Sequence, residues 1–399
     1  MPWEERTVNM SRETFVAEVK AKEKSKSQLC REYGITRKTG DKWLKRYESG
    51  ECMDDRSHAP FHVANKTPPE KEARVLETRA AHPAWGPRKI RQYLVNKGEA
   101  DPPSKSTIGN ILSRNGCISE VASKAATPYK RFEKEYCNEM WQTDFKGHFA
   151  MQDGNRCFPL TVLDDYSRYS LCVDAKENEQ RLGVVQSFER LFYENGLPDS
   201  LLCDNGNPWG NSQTTGYTMF EVWLMEYGIL PIHGRIRHPQ TQGKEERFHR
   251  TMDVELLNLI HIENMAHAQI CFDAFRECYN HERPHEALNM DVPANHYCAS
   301  KRRKPEKIFD WEYPNDHILR KIKSTGYFTF ENQGYFLSEA LAGKTIAICE
   351  SSLENCINVY FREFRIGRIN VSERAWISRK IYRTDTTNEI GSPSLCSLL

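Results

Sequence analysis

The sequence has little that would assign it to a membrane, to an oxidising compartment or to a repeat architecture. Its 399 residues contain no run of 18 apolar side chains, so no membrane-spanning helix is predicted. The stretch from Met1 to Arg6 has no apolar segment of the kind a secretory leader carries. Its 13 cysteines are scattered: none forms a Cys-x-x-Cys pair and no Cys/His cluster has zinc-finger spacing. That pattern predicts reduced thiols in a cytoplasmic protein and no structural zinc. No internal repeat or low-complexity tract stands out, and the net charge is only +1.

Hydrophobic residues at 39% and aromatics at 11% suffice for real cores, and a charged fraction of 28% argues against wholesale disorder. The length predicts two to four domains. The near-zero net charge hides an asymmetry. Residues 1–135 carry 27 Lys and Arg against 19 Asp and Glu, and the remainder is correspondingly acidic. A basic front and an acidic back suit a DNA-gripping arm joined to a carboxylate-bearing body, although imbalances of this size also occur by chance.

Residues 11–48 read as three short helices. Phe15, Val16 and Val19 form one apolar face, and Leu29, Cys30 and Tyr33 a second. Gly34 breaks the chain, and Thr36 can cap a third helix whose apolar side is Trp43, Leu44 and Tyr47. A helix, a Gly-containing turn and a basic amphipathic helix make a helix-turn-helix. Arg37, Lys38, Lys42, Lys45 and Arg46 are expected to face outward toward phosphates, with Thr39 or Lys42 nearer base edges. The alternative is a packing unit with a solvated basic face. A polar linker follows, then helices over 70–81, 87–97 and 106–115, with Arg88, Lys89 and Arg91 clustered on one face. This is either a second, winged-type DNA-binding unit or a helical spacer. Residues 119–138 read as a basic connector.

From Trp141 the period changes to that of strands. Runs at 140–145, 157–163 and 169–173 predict an antiparallel meander, turned at Gly154-Asn155 and Tyr166-Ser-Arg168. A helix over 179–195, a strand over 200–203, a helix over 219–227, a strand over 229–232 and a long helix over 241–260 follow. This order predicts a mixed α/β layered domain. Residues 325–371 alternate apolar and polar with Gly breaks, which predicts a small β-barrel.

Three acids hold telling positions. Asp144 lies in the first strand between Trp141 and Phe145, where a carboxylate is costly without a partner or ion. Asp204 ends a later strand, before Asn205 and Gly206, and Glu246 opens the long helix. In a mixed sheet the two aspartates can meet at one end, with the helix adding a third carboxylate. Three hard oxygen ligands are what one or two Mg²⁺ ions need. Glu245 is a rival: with Phe248, Met252, Leu256 and Leu259 as the buried stripe, it falls closer to the stripe's centre than Glu246 does. Asp164 and Asp165 are further rivals and read as hairpin residues. Lys244, Arg247 and Arg250 share Glu246's helix, either as phosphate contacts or as a solvated face.

Taken together, Trp141-Gln-Thr-Asp144-Phe145, Asp204-Asn-Gly206, the run from His238 to Arg250 and the run from Tyr279 to Leu288 resemble the motifs of bacterial insertion-sequence DDE transposases with a retroviral-integrase-type core. The segments around Arg37-Lys38-Thr39-Gly40 and Trp85-Gly86 resemble the paired helix-turn-helix region of the same family. The resemblance spans roughly residues 11–300 and selects Glu246 as the Glu directly before Arg247-Phe248. It implies an RNase H-like core over 139–300 behind helix-turn-helix units at 1–50 and 66–118; the β module at 320–375 lies beyond it and rests on the strand alternation alone. It further implies Mg²⁺ dependence, with Mn²⁺ as a substitute, cleavage at element ends and strand transfer into target DNA. The expected partners are DNA and further copies of the chain, in the cytoplasm with the nucleoid. Two other readings remain: a decayed DNA-binding remnant or repressor, and a metal nuclease that cuts without joining. The interval from Asp204 to Glu246 is longer than in compact relatives, an excess assigned to a loop over 207–218.

Overall fold

The computed structural model describes residues 8–55, 67–118, 134–206, 208–210, 216–234, 243–378 and 380–384. The connector residues 119–133, most of the loop over 234–243 and part of that over 207–218 lie outside these. The chain divides into two units, Met1–Lys66 and Thr67–Leu399.

The first unit is a three-helix cluster, α1 (Val8–Ala21), α2 (Lys26–Glu32) and α3 (Arg37–Glu48). Ser25 and Thr36 cap α2 and α3 by accepting from the backbone N–H groups of Gln28 and Thr39. Gly34, at φ +66°, makes the turn between them. Phe15, Val16, Leu29, Cys30, Trp43 and Met53 form the core. Gly40 lets α3 close on the other two helices: a Cβ there would meet Cys30 Sγ at 2.9 Å and Phe15 Cζ at 3.0 Å.

The second unit begins with α4 (Pro69–Ala81), α5 (Pro87–Asn96) and α6 (Lys105–Arg114), packed around Val75, Trp85, Ile90, Leu94, Ile108, Ile111 and Leu112. Next come β1 (Met140–Phe145), β2 (Phe149–Ala150), β3 (Arg156–Asp164) and β4 (Ser170–Lys176). Then follow α7 (Arg181–Asn195), β5 (Ser200–Cys203), α8 (Met219–Glu226), β6 (Leu230–His233), α9 (Gly243–Met252) and α10 (Met265–His281). The strand order is β2-β3-β1-β5-β6, with β4 on the other side of β3. β3 runs antiparallel to β1 and β4, whereas β1, β5 and β6 are parallel. Alternate side chains bury opposite faces of this sheet. Leu160 and Val162 join α7 and α8 through Phe188, Phe192 and Phe220. Cys157 and Leu163 join α9 and α10 through Phe248, Met252, Phe272 and Tyr279.

The helix expected over 241–260 is shorter. α9 ends at Met252 and passes into a π-helical turn, Asp253–Leu257. The wider turn shifts the buried face, so that Leu256 stays inside while Leu259 is 49% exposed.

The C-terminal part comprises β7 (Ile318–Lys321), β8 (Tyr327–Phe330), β9 (Gln333–Phe336), β10 (Thr345–Glu350), β11 (Cys356–Phe361), β12 (Phe364–Asn370), β13 (Ala375–Ser378) and β14 (Tyr382–Arg383). The expected barrel does not close. The sheet runs β13-β12-β11-β10-β7 with β14 on β12, and β8 and β9 pair only with each other. Closure needs the two edge strands to pair, and β7 and β13 remain edges among the described residues. This sheet shares a core with the α8 side of the central domain: Tyr217, Val222 and Met225 pack with Phe328, Leu337, Phe364 and Ile366.

Candidate active site

β1 and β5 pair in parallel with Met140 opposite Ser200, Trp141 opposite Leu201 and Gln142 opposite Leu202. Two residues further along that register stand Asp144 and Asp204, at the same end of adjacent strands. Asp144 is partly buried, and its carboxyl is pushed up to about 7, by burial first and then by the charge of Asp204, with Glu179 and Glu246 adding to it. Glu246 lies exposed on the first turn of α9. These three acids therefore share one electrostatic field. They are not drawn to within 4.8 Å of one another; among the described residues the trio of His, Cys or carboxylate ligand atoms that close is His82, Cys278 and Glu282.

Glu245 and Glu246 point to different surroundings. Glu245 is fully buried, and its Oε2 accepts from the Thr161 hydroxyl at 3.1 Å. Burial, then the charge of Asp144, pushes its carboxyl well above the ordinary range. The Thr161 hydroxyl also lies 3.0 Å from the Asp144 carbonyl and 2.8 Å from His249 Nε2. It has one proton to give, so three close partners are satisfied together only if others supply protons. His249, pushed down to about 4 by burial and by Lys146, is a neutral neighbour rather than a charged one.

Asp204 is braced from behind. Its Oδ1 accepts from the backbone N–H of Gly206 at 2.8 Å, and its carbonyl lies 2.8 Å from His233 Nδ1. His233 Nε2 in turn lies 2.9 Å from Glu221 Oε1. Burial opposes charge on this ring, but Cys203 and Glu221 beside it hold its pKa up, at about 11, so both nitrogens donate. Neither His233 nor Glu221 was singled out from the sequence. An Asp-ending strand followed by a parallel strand ending in His is a signal legible only once the pairing of β5 with β6 is known.

Asp164 and Asp165 hold structure together. Asp164 accepts from the Asn138 and Ser167 N–H groups and from the Ser167 hydroxyl, shaping the turn after β3. Asp165 accepts from the Gln142 amide and pairs with the Lys244 ammonium. The run from Tyr279 to His285 is also structural. The Asn280 side chain bonds both the N–H and the carbonyl of Ser170, and Arg283 grips Glu255 at 3.0 Å.

The basic residues fall into two groups. Arg37, Lys38, Lys42 and Lys45 are exposed on α3, and Thr39 is half-buried beside its cap. Arg46 differs from its expected outward position: it is 8% exposed, donates to the Asp54 carbonyl at 2.9 Å and lies 4.9 Å from the centre of the Trp43 ring. On the second unit Arg88, Arg247 and Arg250 are exposed, the first two loosely facing Glu286 at 3.9 and 4.0 Å. Lys89 turns to Glu255 at 3.5 Å and Lys244 to Asp165.

Residues 39–112 match a homeodomain-like domain, and residues 136–239 and 227–293 match integrase core domains. Similar proteins come from insertion elements. An uncharacterized 31.7 kDa protein of IS407 from Burkholderia multivorans is 28% identical over 166 residues, 42% of this chain and 57% of that protein. An uncharacterized 39.2 kDa protein of IS476 from Xanthomonas euvesicatoria is 25% identical over 62% of this chain and 69% of its own length. The putative transposase of IS5376 from Geobacillus stearothermophilus is 22% identical over 87% of this chain and 84% of its own length. Solved structures with some likeness are the magnesium-bound catalytic core of HTLV-2 integrase and the intasome of simian T-cell lymphotropic virus. The first is 16% identical at TM-score 0.32, covering 41% of this chain and 98% of that one; the second is 14% identical at 0.36, covering 77% and 98%. The chain thus carries an integrase core behind a homeodomain-like helical region. The matched domains and relatives support placing it with the insertion-sequence transposases of the DDE kind that have an N-terminal helix-turn-helix.

Proposed function

We propose that the chain is a metal-dependent DNA strand transferase that binds the ends of its element, cuts there and joins the ends to target DNA. The observation that supports this best is the placement of Asp144 and Asp204 just beyond the parallel ladder of β1 and β5, in an electrostatic field shared with Glu246. Like charges held together at the end of a sheet destabilise one another unless a cation joins them. All three donors are hard oxygens, which fit Mg²⁺, with Mn²⁺ as a substitute. When bound, Mg²⁺ supplies the positive charge that offsets the carboxylates and polarises a phosphodiester.

Asp144, Asp204 and Glu246 hold the ion. The Asp204 loop is kept in place by His233, and Glu245 stays protonated under the site. Exposed Arg247 and Arg250 on α9 meet DNA phosphates near the reacting bond, and Arg37, Lys38, Lys42 and Lys45 on α3 grip the element end. Cutting and joining are the same in-line displacement at phosphorus, by water first and by the freed 3′-hydroxyl second. One site therefore serves both, with no covalent protein–DNA intermediate. Copies of the chain assemble on the DNA so that two ends can be processed together.

The test is cleavage and joining of labelled end DNA in Mg²⁺. Asp144→Asn, Asp204→Asn and Glu246→Gln should abolish both steps while leaving end binding intact, and Glu245→Gln should be far milder. Loss in Glu245→Gln with activity kept in Glu246→Gln would move the third ligand by one residue. Binding without cleavage in the unaltered chain would favour a repressor, and cleavage without joining a nuclease.

A further inference from the structure

One side-chain cluster lies outside the carboxylate site. Cys278 stands in the last turn of α10, and Glu282 follows four residues later, immediately past the helix end. That spacing puts both on one face. His82, immediately after α4, comes to the same face from the N-terminal helices of this unit. Ligand atoms of the three lie within 4.8 Å of one another, with His82 Nδ1 4.0 Å from Cys278 Sγ. The imidazole is held flat against Trp85, ring centres 3.6 Å apart and planes 4° apart. Glu282 Oε1 accepts from Lys97 at 2.9 Å.

We propose that His82, Cys278 and Glu282 form a binding site for a zinc ion, with water as the fourth ligand. The donors are one nitrogen, one sulfur and one oxygen, a mixed and partly soft set that suits Zn²⁺ and is wrong for Mg²⁺. Zn–S and Zn–N bonds of about 2.3 and 2.0–2.1 Å at a tetrahedral angle set sulfur and nitrogen about 3.6 Å apart. The 4.0 Å found here needs only a small closure. Two ligands come from the core helix and one from the helical unit before it, so the ion would staple α4–α6 to α10. It would act beside the bonds made by Glu255 and apart from the carboxylate site. No spacing rule reveals it, because 196 positions separate His82 from Cys278.

The full chain, stripped of metal, is titrated with Co²⁺ and followed by absorption. A thiolate-to-cobalt charge-transfer band with tetrahedral visible bands should saturate at one equivalent and be displaced by Zn²⁺. The band requires sulfur, so Asp144→Asn/Asp204→Asn should leave it unchanged. Cys278→Ser should remove it, and Glu282→Gln, which keeps the thiol and the helix, should weaken binding by tenfold or more. No charge-transfer band in the unaltered chain overturns the proposal, as does a band that survives Cys278→Ser or keeps full affinity in Glu282→Gln.

Discussion

Asp144 and Asp204 each stand two residues beyond the Gln142–Leu202 pair that closes the parallel ladder of β1 and β5, close enough for the charge of Asp204 to raise the carboxyl of Asp144. The first consequence concerns stability without metal. The folded chain keeps the Asp144 proton up to about pH 7, whereas an unperturbed aspartate loses it near 3.8. Between those values the folded state binds more protons than the unfolded one, so stability falls as pH rises and stays low above 7. At about 1.4 kcal/mol per pH unit the ceiling is roughly 4 kcal/mol, reduced by the water that reaches this partly exposed group. Asp144→Asn should therefore be more stable than the natural chain at pH 8, by about 1–3 kcal/mol, and nearly equal to it at pH 4.5. Urea midpoints at the two pH values decide it; a gap of the same size at both would rule this out. Mg²⁺ should raise the midpoint of the natural chain and leave that of Asp144→Asn almost unmoved.

Glu255 is the polar hub between the helical unit and the core. It accepts from Arg283 at 3.0 Å and from Trp85 Nε1 at 3.1 Å, and pairs with Lys89 at 3.5 Å. Its carboxyl is pushed down: burial works against the charge, but Arg283 and Lys89 outweigh it. Glu255→Ala would leave two cations poorly compensated in a half-buried interface, at a cost of about 3–5 kcal/mol. Limited proteolysis should then cut between α6 and β1 faster than in the natural chain. An unchanged urea midpoint would show that Glu255 contributes nothing to the docking.

His233 braces Asp204 through the Asp204 carbonyl and is itself held by Glu221. Replacing His233 with Gln removes a charged two-ended donor while keeping some hydrogen-bonding capacity. The expected loss in Mg²⁺-dependent cleavage is about 10–100-fold, recovered in part at high Mg²⁺, with end-DNA affinity unchanged. A variant that cuts normally at low Mg²⁺ would show the brace to be dispensable.

The four exposed cations of α3 should set the salt dependence of DNA binding. Changing Arg37, Lys38, Lys42 or Lys45 to Ala should flatten the log–log salt slope by about 0.9 for each phosphate that the side chain neutralises. Arg46→Ala, by contrast, should lower the melting temperature of the N-terminal unit, because it removes packing on Trp43 and the bond to Asp54. A slope unaltered in the fourfold variant would remove α3 from the DNA interface.

Most of the element order was legible because local rules govern it. Thr36 announces a helix by capping, and the β-prone run from Met140 to Phe145 announces a strand. The placing of Asp144 in a strand, Asp204 just past another and Glu246 at a helix start followed from the same local signals, whereas choosing these three acids as one site rested on the resemblance to a transposase motif. By themselves these residues determined that acids would stand in a strand, just past a second strand and in the first turn of a helix. Tertiary structure alone decided what each neighbour does. Helical periodicity left Glu245 and Glu246 in competition; packing buried Glu245 against Thr161 and His249 and left Glu246 facing out. Basic character could not tell Lys42 from Arg46 or Arg88 from Lys89, because side-chain direction and a distant carboxylate, not residue type, decide whether a cation is free for phosphate. Alternation predicted the C-terminal strands but not their open pairing, since closure depends on which edges meet across many residues. For the same reason, only the folded chain brings His82 to Cys278 and His233 to Asp204.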